Sequence, residues 1–179
     1  SPSKIEIIRQ QCILNAQLGK HAEALADIRK MDGIPGHNTA ENNVLRGYLY
    51  LLNNQPVNAN AWFTRAMEIS GNDIRIKTLV AYSTYECGYT QFAHDLFREI
   101  MDNNLGKDSP EGWAFLALCD VDLGLRQEFL SDLHQAVLQG PAKSRPLLVD
   151  IFPEGLPFEN YEKYAKEHPE LGTWPNKKR

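Results

Sequence analysis

The residues of this chain that could do acid–base chemistry are its carboxylates and histidines. Asp120 and Asp122 stand two positions apart in a helical pattern, so they point to different faces of the helix and no shared site is expected. The five histidines are scattered without the spacing of metal ligands. We expect His94 and His134, on predicted helices, to be exposed or near helix ends.

The chain also lacks the motifs of phosphate and nucleophile chemistry. No Gly-rich phosphate loop, HExxH zinc motif or GxSxG nucleophile elbow occurs. Cys12, Cys87 and Cys119 form no CxxC pair, and each lies in a helical pattern at a core-facing or small-residue position. We therefore expect three buried free thiols, which fit a reducing compartment. The protein is predicted to have no catalytic residue, no cofactor and no metal.

The composition and net charge of the chain limit the kinds of partner that we expect it to bind. The formal net charge of -4, with 42% hydrophobic and 23% charged residues, is ordinary for a soluble globular protein and argues against a dedicated nucleic-acid binder. No apolar run approaches the roughly 20 residues that cross a bilayer, so no membrane insertion is expected. No export segment opens the sequence, and we expect a cytoplasmic protein. An extracytoplasmic location after removal of a leader is the alternative.

The elements that must carry these residues repeat along the chain at intervals of 34 to 36 residues. Four columns share this spacing: a small-residue column, a turn column, a second small column and a bulky column. Their members are Cys12, Gly47, Ala81 and Ala117; Gly19, Asn54, Gly88 and Gly124; Ala24, Ala59, Ala93 and Phe129; and Ile28, Phe63, Phe97 and Leu133. A period in this range is typical of a stacked-repeat solenoid.

Each repeat is predicted to be two helices joined by a tight turn. The four repeats are placed at about 3–36, 39–72, 73–107 and 109–142. The first helix is predicted from apolar residues that recur at helical spacing up to Gly19, namely Ile5, Ile8, Cys12, Leu14 and Leu18. Residues 143–179 break the pattern, and we expect C-terminal capping helices and a basic tail there. The alternative is a segment that binds a partner.

These columns resemble the tetratricopeptide repeat family over about 140 of the 179 residues. The matching motifs are Gly47-x-x-Tyr50 and Ala59-x-x-x-Phe63 in the second repeat, Ala93-x-x-x-Phe97 in the third, and Trp113-x-x-Leu116-Ala117 with a closing Pro141 in the fourth. Departures are Arg46, where the family has Leu, and Phe129, where it has a small Ala. The resemblance implies an all-α, right-handed superhelix of helix–turn–helix repeats that binds proteins without catalysis.

In that family, the first helix of each repeat lines a concave groove. The resemblance places in this groove Arg9, Ile13, Tyr48, Leu52, Arg75, Thr78, Tyr82, Tyr85, Glu86, Leu118 and Asp122. Tyrosine combines apolar area with a polar tip and is enriched at binding surfaces, which favours a binding role for Tyr48, Tyr82 and Tyr85. For Ile13 and Leu118, packing between adjacent first helices is an equally good interpretation.

The charges of the predicted groove indicate what could bind there. Its full set of first-helix positions carries more acids than bases: Glu6, Glu41, Glu86, Glu111 and Asp122 against Arg9 and Arg75. The repeated Lys and Asn with which some family members clamp a terminal carboxylate are missing. We therefore expect an apolar or mildly basic protein or peptide segment as partner. The alternatives are a homo-oligomer that assembles through its ends or its C-terminal segment, and an accessory domain of a larger protein.

Overall fold

All regular secondary structure in the described part of the chain is helical. The computed structural model describes residues 1–103 and 110–139, and no β-strand forms within them. The helices in chain order are α1 (Lys4–Gln17), α2 (His21–Ile28), α3 (Ala40–Leu52), α4 (Pro56–Ile69), α5 (Ile74–Glu86), α6 (Thr90–Asp102), α7 (Pro110–Leu123) and α8 (Arg126–Gln139). The predicted all-α class is confirmed for these residues. The predicted C-terminal cap, 143–179, lies outside them.

The helices fall into two compact units. The first covers Ser1–Tyr89 and contains α1 to α5, and the second runs from Thr90 onward and contains α6 to α8. The boundary lies between α5 and α6, and therefore within the predicted third repeat at 73–107. The division into four repeats stays a prediction.

Side chains fix where several helices begin. Ser3 Oγ accepts a hydrogen bond from the Glu6 N–H at 3.2 Å, and Thr39 Oγ1 accepts one from the Asn42 N–H at 3.1 Å. Pro56 occupies the first turn of α4, where its missing N–H costs nothing. The caps satisfy amides that the helices themselves leave free. They set the starting register of α1 and α3, which line the candidate site described below.

The turn column of the sequence marks left-handed backbone between helices. Gly19, Gly88 and Gly124 have φ angles of 74°, 85° and 72°, and Asn54 has a φ of 57°. Glycine enters this region without a steric cost, and asparagine is among the side chains that tolerate it best. The column therefore consists of the residues that end α1, α3, α5 and α7.

The first unit is packed closely around small residues. Gly47 on α3 lies against the ring of Phe63 on α4, so near that a Cβ atom at position 47 would overlap the ring. Phe63 is itself buried, as are Ala59 on the same helix and Ala24 on α2. Interiors pack at the density of organic crystals, so a small residue beside a large ring leaves neither a void nor a clash.

The apolar residues of α1 divide between two faces of the helix. Leu14 and Leu18 are 54% and 60% exposed, and Ile7 is 52% exposed with them. Ile8 and Cys12 form the buried face instead. At 100° per residue, Leu14 and Leu18 lie with Ile7 on a different face, because seven and eleven residues are close to whole numbers of turns.

Arg46, a departure from the family pattern, is a buried cation with two partners. Its guanidinium carbon lies 4.9 Å from the centroid of the Trp62 ring, and its Nη2 donates to Asp32 Oδ1 at 2.8 Å. The Arg46 side chain is 4% exposed, whereas that of Asp32 is 60% exposed. An aromatic face and a carboxylate together stabilise a guanidinium that has lost its water.

The second unit has an aromatic core between α6, α7 and α8, the helices described in it. α7 packs against both α6 and α8. The rings of Phe97 and Phe115 are stacked, with centroids 6.0 Å apart and an interplanar angle of 16°. Phe129 and Leu133 on α8 are fully buried. The large side chain at position 129, where the family has Ala, is therefore accommodated inside this unit.

Candidate functional site

A concavity in the first unit is formed by the first helices of the first three predicted repeats, α1, α3 and α5. We call it the α1–α3–α5 groove, and its volume is about 380 Å³. Helical spacing brings its residues to one side of each helix. The lining consists of Arg9, Ile13, Ala16 and Gln17 from α1, Glu41, Val44, Leu45 and Tyr48 from α3, and Leu79, Ser83 and Glu86 from α5.

The middle of this groove is apolar. Val44 is buried, and Tyr48 is half-buried against the core of the first unit. Ile13 and Leu79 are 39% and 43% exposed, so two large aliphatic side chains face solvent within one concavity. Apolar surface gathered in a concave, partly open site is characteristic of ligand and peptide sites.

Tyr48 adds a polar tip to the apolar middle of the groove. Burial raises the pKa of its phenol, and the negative charge of Glu86 raises it further. Both effects favour the neutral form over the phenolate. Tyr48 therefore keeps its O–H at neutral pH and can donate a hydrogen bond to a ligand.

The charged side chains of the groove differ in whether they are available to bind a ligand. Glu41 and Glu86 are exposed. Arg9, the cation of the lining, donates from Nη1 to Oδ1 of the buried Asn42 at 2.5 Å, which ties α1 to the first turn of α3. Glu41 and Glu86 can turn toward an incoming group, whereas the guanidinium of Arg9 is held by Asn42. The groove therefore presents mainly negative charge to a ligand.

The structure brings four of the predicted groove residues together and places the others elsewhere. Arg9, Ile13, Tyr48 and Glu86 lie on the lining of the α1–α3–α5 groove. The remaining predicted residues of the first unit, which are Leu52, Arg75, Thr78, Tyr82 and Tyr85, are not part of that lining. Leu118 and Asp122 lie on α7 in the second unit.

The departures from the predicted set have local causes. Arg75 donates to the Asp73 carboxylate at 3.2 Å, and Thr78 Oγ1 donates to the Ile74 carbonyl at 2.7 Å, so both side chains bond within the start of their own helix. Leu52 packs against the core of the first unit.

Sequence reasoning missed two residues of α5 that do line the groove. They are Leu79 and Ser83, which with Glu86 follow the spacing i, i+4 and i+7. The family register placed the groove face of α5 one position earlier, at Thr78 and Tyr82. Leu79 is followed directly by Val80 and Ala81, so the sequence gives no signal that its side chain is the exposed one.

A second group of chemistry-bearing residues is buried in the second unit. Arg98 on α6 binds both oxygens of Asp132 on α8, at 3.0 and 2.6 Å, and Asp132 is 2% exposed. Asp120 on α7 has no exposed surface, and its Oδ1 lies 3.1 Å from His94 Nε2 on α6. The expectation that His94 is exposed or near a helix end is therefore wrong, because it lies against a buried carboxylate.

The surroundings of Asp120 determine its protonation. Burial, followed by a hydrogen bond with Asp132 and the charge of Asp132, raises the pKa of Asp120 to about 8, although the Arg98 charge opposes the shift. Sequence reasoning compared Asp120 with Asp122, which the structure leaves exposed. The pairing with Asp132 was missed because the two residues lie on different helices.

The three cysteines differ in exposure, but the pKa of each thiol is raised. Cys12 and Cys119 are buried, as expected, whereas Cys87 at the end of α5 is partly exposed. Burial raises the pKa of Cys12 and Cys87 to about 11 and that of Cys119 to about 12. Because the thiolate is the nucleophile, all three thiols are weakly reactive at neutral pH.

The described residues offer neither a metal site nor a membrane span. Within residues 1–103 and 110–139, no group of three or more His, Cys, Asp or Glu side chains is arranged to hold a metal ion. No helix in the same ranges combines the length and apolar character of a bilayer-crossing segment. Comparison with protein-family models, with curated proteins and with solved structures finds no match to this chain.

Proposed function

We propose that this chain is a non-catalytic binding module of the tetratricopeptide repeat kind, a right-handed superhelix that holds a peptide segment of another protein in its concave groove. The observation that carries the proposal is the α1–α3–α5 groove, in which exposed Ile13 and Leu79 face solvent beside Tyr48. The periodic columns of the sequence support the repeat family. The suppressed acidity of the three thiols supports a role without nucleophilic catalysis.

The partner is an apolar segment with a basic residue. Apolar side chains of the segment would cover Ile13, Leu79 and the Tyr48 ring, where removal of apolar surface from water provides most of the free energy of binding. A Lys or Arg of the segment would meet Glu41 and Glu86, whose carboxylates are exposed. A terminal carboxylate is a poor partner, since the guanidinium of Arg9 is already bonded to Asn42.

Selection from a random linear peptide library, displayed on phage, tests this proposal on the full chain. We expect the enriched sequences to combine apolar residues with Lys or Arg, and the Glu86→Lys variant to lose affinity for them by roughly tenfold. Glu68→Lys, on the exposed face of α4, is the matched control and should bind as the wild type does. Enrichment of acidic sequences, or equal loss in both variants, would contradict the proposal.

A self-association role is the second candidate, and it rests on the outer face of α1. Ile7, Leu14 and Leu18 expose more than half of their surface along one side of that helix. Sedimentation velocity at several concentrations separates the two candidates. A concentration-dependent dimer that Leu14→Glu abolishes and Val57→Glu preserves would favour assembly, since Val57 is equally apolar but 83% exposed on α4. A monomer at every concentration favours the peptide-binding role.

A further inference from the structure

The second unit contains a buried group of ionisable side chains that the proposed peptide groove does not use. α7 contributes Asp120, α6 contributes His94 and Arg98, and α8 contributes Asp132, with the exposed Glu128 of α8 nearby. Asp120 and Asp132 are 0% and 2% exposed. Two buried carboxylates so close to each other with a single guanidinium cannot both be ionised without a large cost in free energy.

The hydrogen bonds assign the charge within this group. Arg98 donates two bonds to Asp132, an arrangement that favours the ionised form of Asp132. Neither oxygen of Asp120 accepts a hydrogen bond from a described residue, and the N–H of His94 is not aligned with Asp120 although the two atoms are 3.1 Å apart. An ionised carboxylate has only acceptors, so Asp120 as an anion would be buried without a donor.

We propose that Asp120 is a proton-operated switch in the second unit, protonated when α6, α7 and α8 are packed together and donating its hydrogen bond to the Asp132 carboxylate. Loss of that proton leaves two buried anions beside the single guanidinium of Arg98 and loosens the packing of α7. The step is a simple acid dissociation: the O–H bond of Asp120 breaks, its electron pair stays on the carboxylate, and the proton passes to water.

The other charged groups around Asp120 act on the same equilibrium. Arg98 on α6 stabilises the anion, and Glu128 on α8 opposes it, as does Asp132. Arg98 is 3.9 Å from Asp102, so part of its positive charge is shared with a solvent-facing acid, and Nδ1 of His94 lies 3.3 Å from Oδ1 of Asp95. On α7 itself, Cys119 is buried and Asp122 is exposed.

The group is not sealed from solvent. His94, Arg98 and Asp132, together with Gln127, Glu128 and Ser131, line a cavity of about 520 Å³ at the edge of α6 and α8. Asp120 itself does not line this cavity, but His94 and Asp132, which lie next to it, do. The switch can respond to the pH around the protein without complete unfolding of the chain.

The direction of the pH effect follows from the acidity of Asp120 in the two states. In the unfolded chain the carboxyl has its ordinary pKa of 3.8, and in the packed unit its pKa is about 8. Between these values the packed unit binds one proton more than the unfolded chain, so its free energy of unfolding falls as the pH rises. Below pH 3.8 the contribution is complete, and above about pH 8 it has been lost.

Hydrogen exchange of α7 amides in the full chain, normalised to unfolded-chain rates, tests the switch. We expect protection of α7 in the wild type to fall roughly 50-fold between pH 6 and pH 8, and to change much less in Asp120→Asn, whose amide keeps a donor toward Asp132 without titrating. Asp122→Asn, on the same helix but exposed, should behave as the wild type does. The same pH dependence in Asp120→Asn and the wild type would overturn the proposal.

A second measurement uses the wild-type chain and so does not depend on whether a variant folds. The side-chain carboxyl ¹³C resonance of Asp120 in the wild-type chain should titrate with a midpoint near pH 8. A midpoint of Asp120 near 4, with a cationic His94 ring at neutral pH, would place the proton on the histidine and overturn the proposal. A midpoint near 8 at Asp132 instead would do the same.

Discussion

The ring of Phe63 occupies the space that a Cβ atom at Gly47 would fill. These two residues stand in different columns of the sequence repeat, and their contact joins α3 to α4. The small residue is thus required by its neighbour, because Phe63 is buried and has no free space to move into.

Gly47→Ala should destabilise the first unit by about 1–3 kcal/mol, the cost of overpacking a dense core. The sign is informative, since alanine in a helix is otherwise about 0.5–1 kcal/mol more favourable than glycine. Urea denaturation followed by circular dichroism measures the change. Phe63→Leu supplies the control: in that background the cost of Gly47→Ala should shrink. An alanine that stabilises the chain would show that the contact is looser than described.

Arg46→Lys should destabilise the first unit by about 1–2 kcal/mol. A lysine cannot lie flat on the Trp62 ring, and it cannot use a planar fork toward Asp32. Arg65→Lys is the matched control, because Arg65 is exposed and its guanidinium carbon is 5.7 Å from the same ring. Thermal denaturation of both variants should give a clearly lower melting temperature for Arg46→Lys alone. Equal melting temperatures would mean that the buried guanidinium contributes nothing specific.

Cys87 should be the first thiol to react in the folded chain, since Cys12 and Cys119 are buried. With its pKa near 11, its alkylation by iodoacetamide should be slow at pH 7 and about ten times faster for each unit of pH up to that value. Mass spectrometry of the labelled peptides measures the rates. Cys87→Ser should remove labelling of the folded chain, and rapid labelling of Cys12 without denaturant would contradict the structure.

The sequence allowed the helices and their turns to be predicted because those features are local. A glycine or asparagine in the left-handed region, as at Gly19 and Asn54, marks a turn wherever it occurs. The small residue at 47 belongs to one of the periodic columns, and the structure shows its partner, Phe63. Periodicity was sufficient for these features.

The site was less predictable because it depends on how helices are rotated about their axes. A register taken from a family placed the groove face of α5 one residue away from Leu79 and Ser83. The meeting of Asp120 with Asp132 and His94 needs three helices to pack, and no spacing along the chain encodes that contact. The position of Leu14 on the outer face of α1 has the same origin.

The central claim is that the α1–α3–α5 groove binds an apolar, basic segment. Its most direct test is the dissociation constant of one fluorescein-labelled peptide from the library selection, measured by fluorescence anisotropy with the wild type, Ile13→Ser and Val57→Ser. Ile13 lines the groove at 39% exposure, and Val57 lies outside it at 83%. We predict a roughly tenfold weaker constant for Ile13→Ser, from the loss of its buried apolar area, and an unchanged constant for Val57→Ser. Equal constants for all three proteins would contradict binding in this groove.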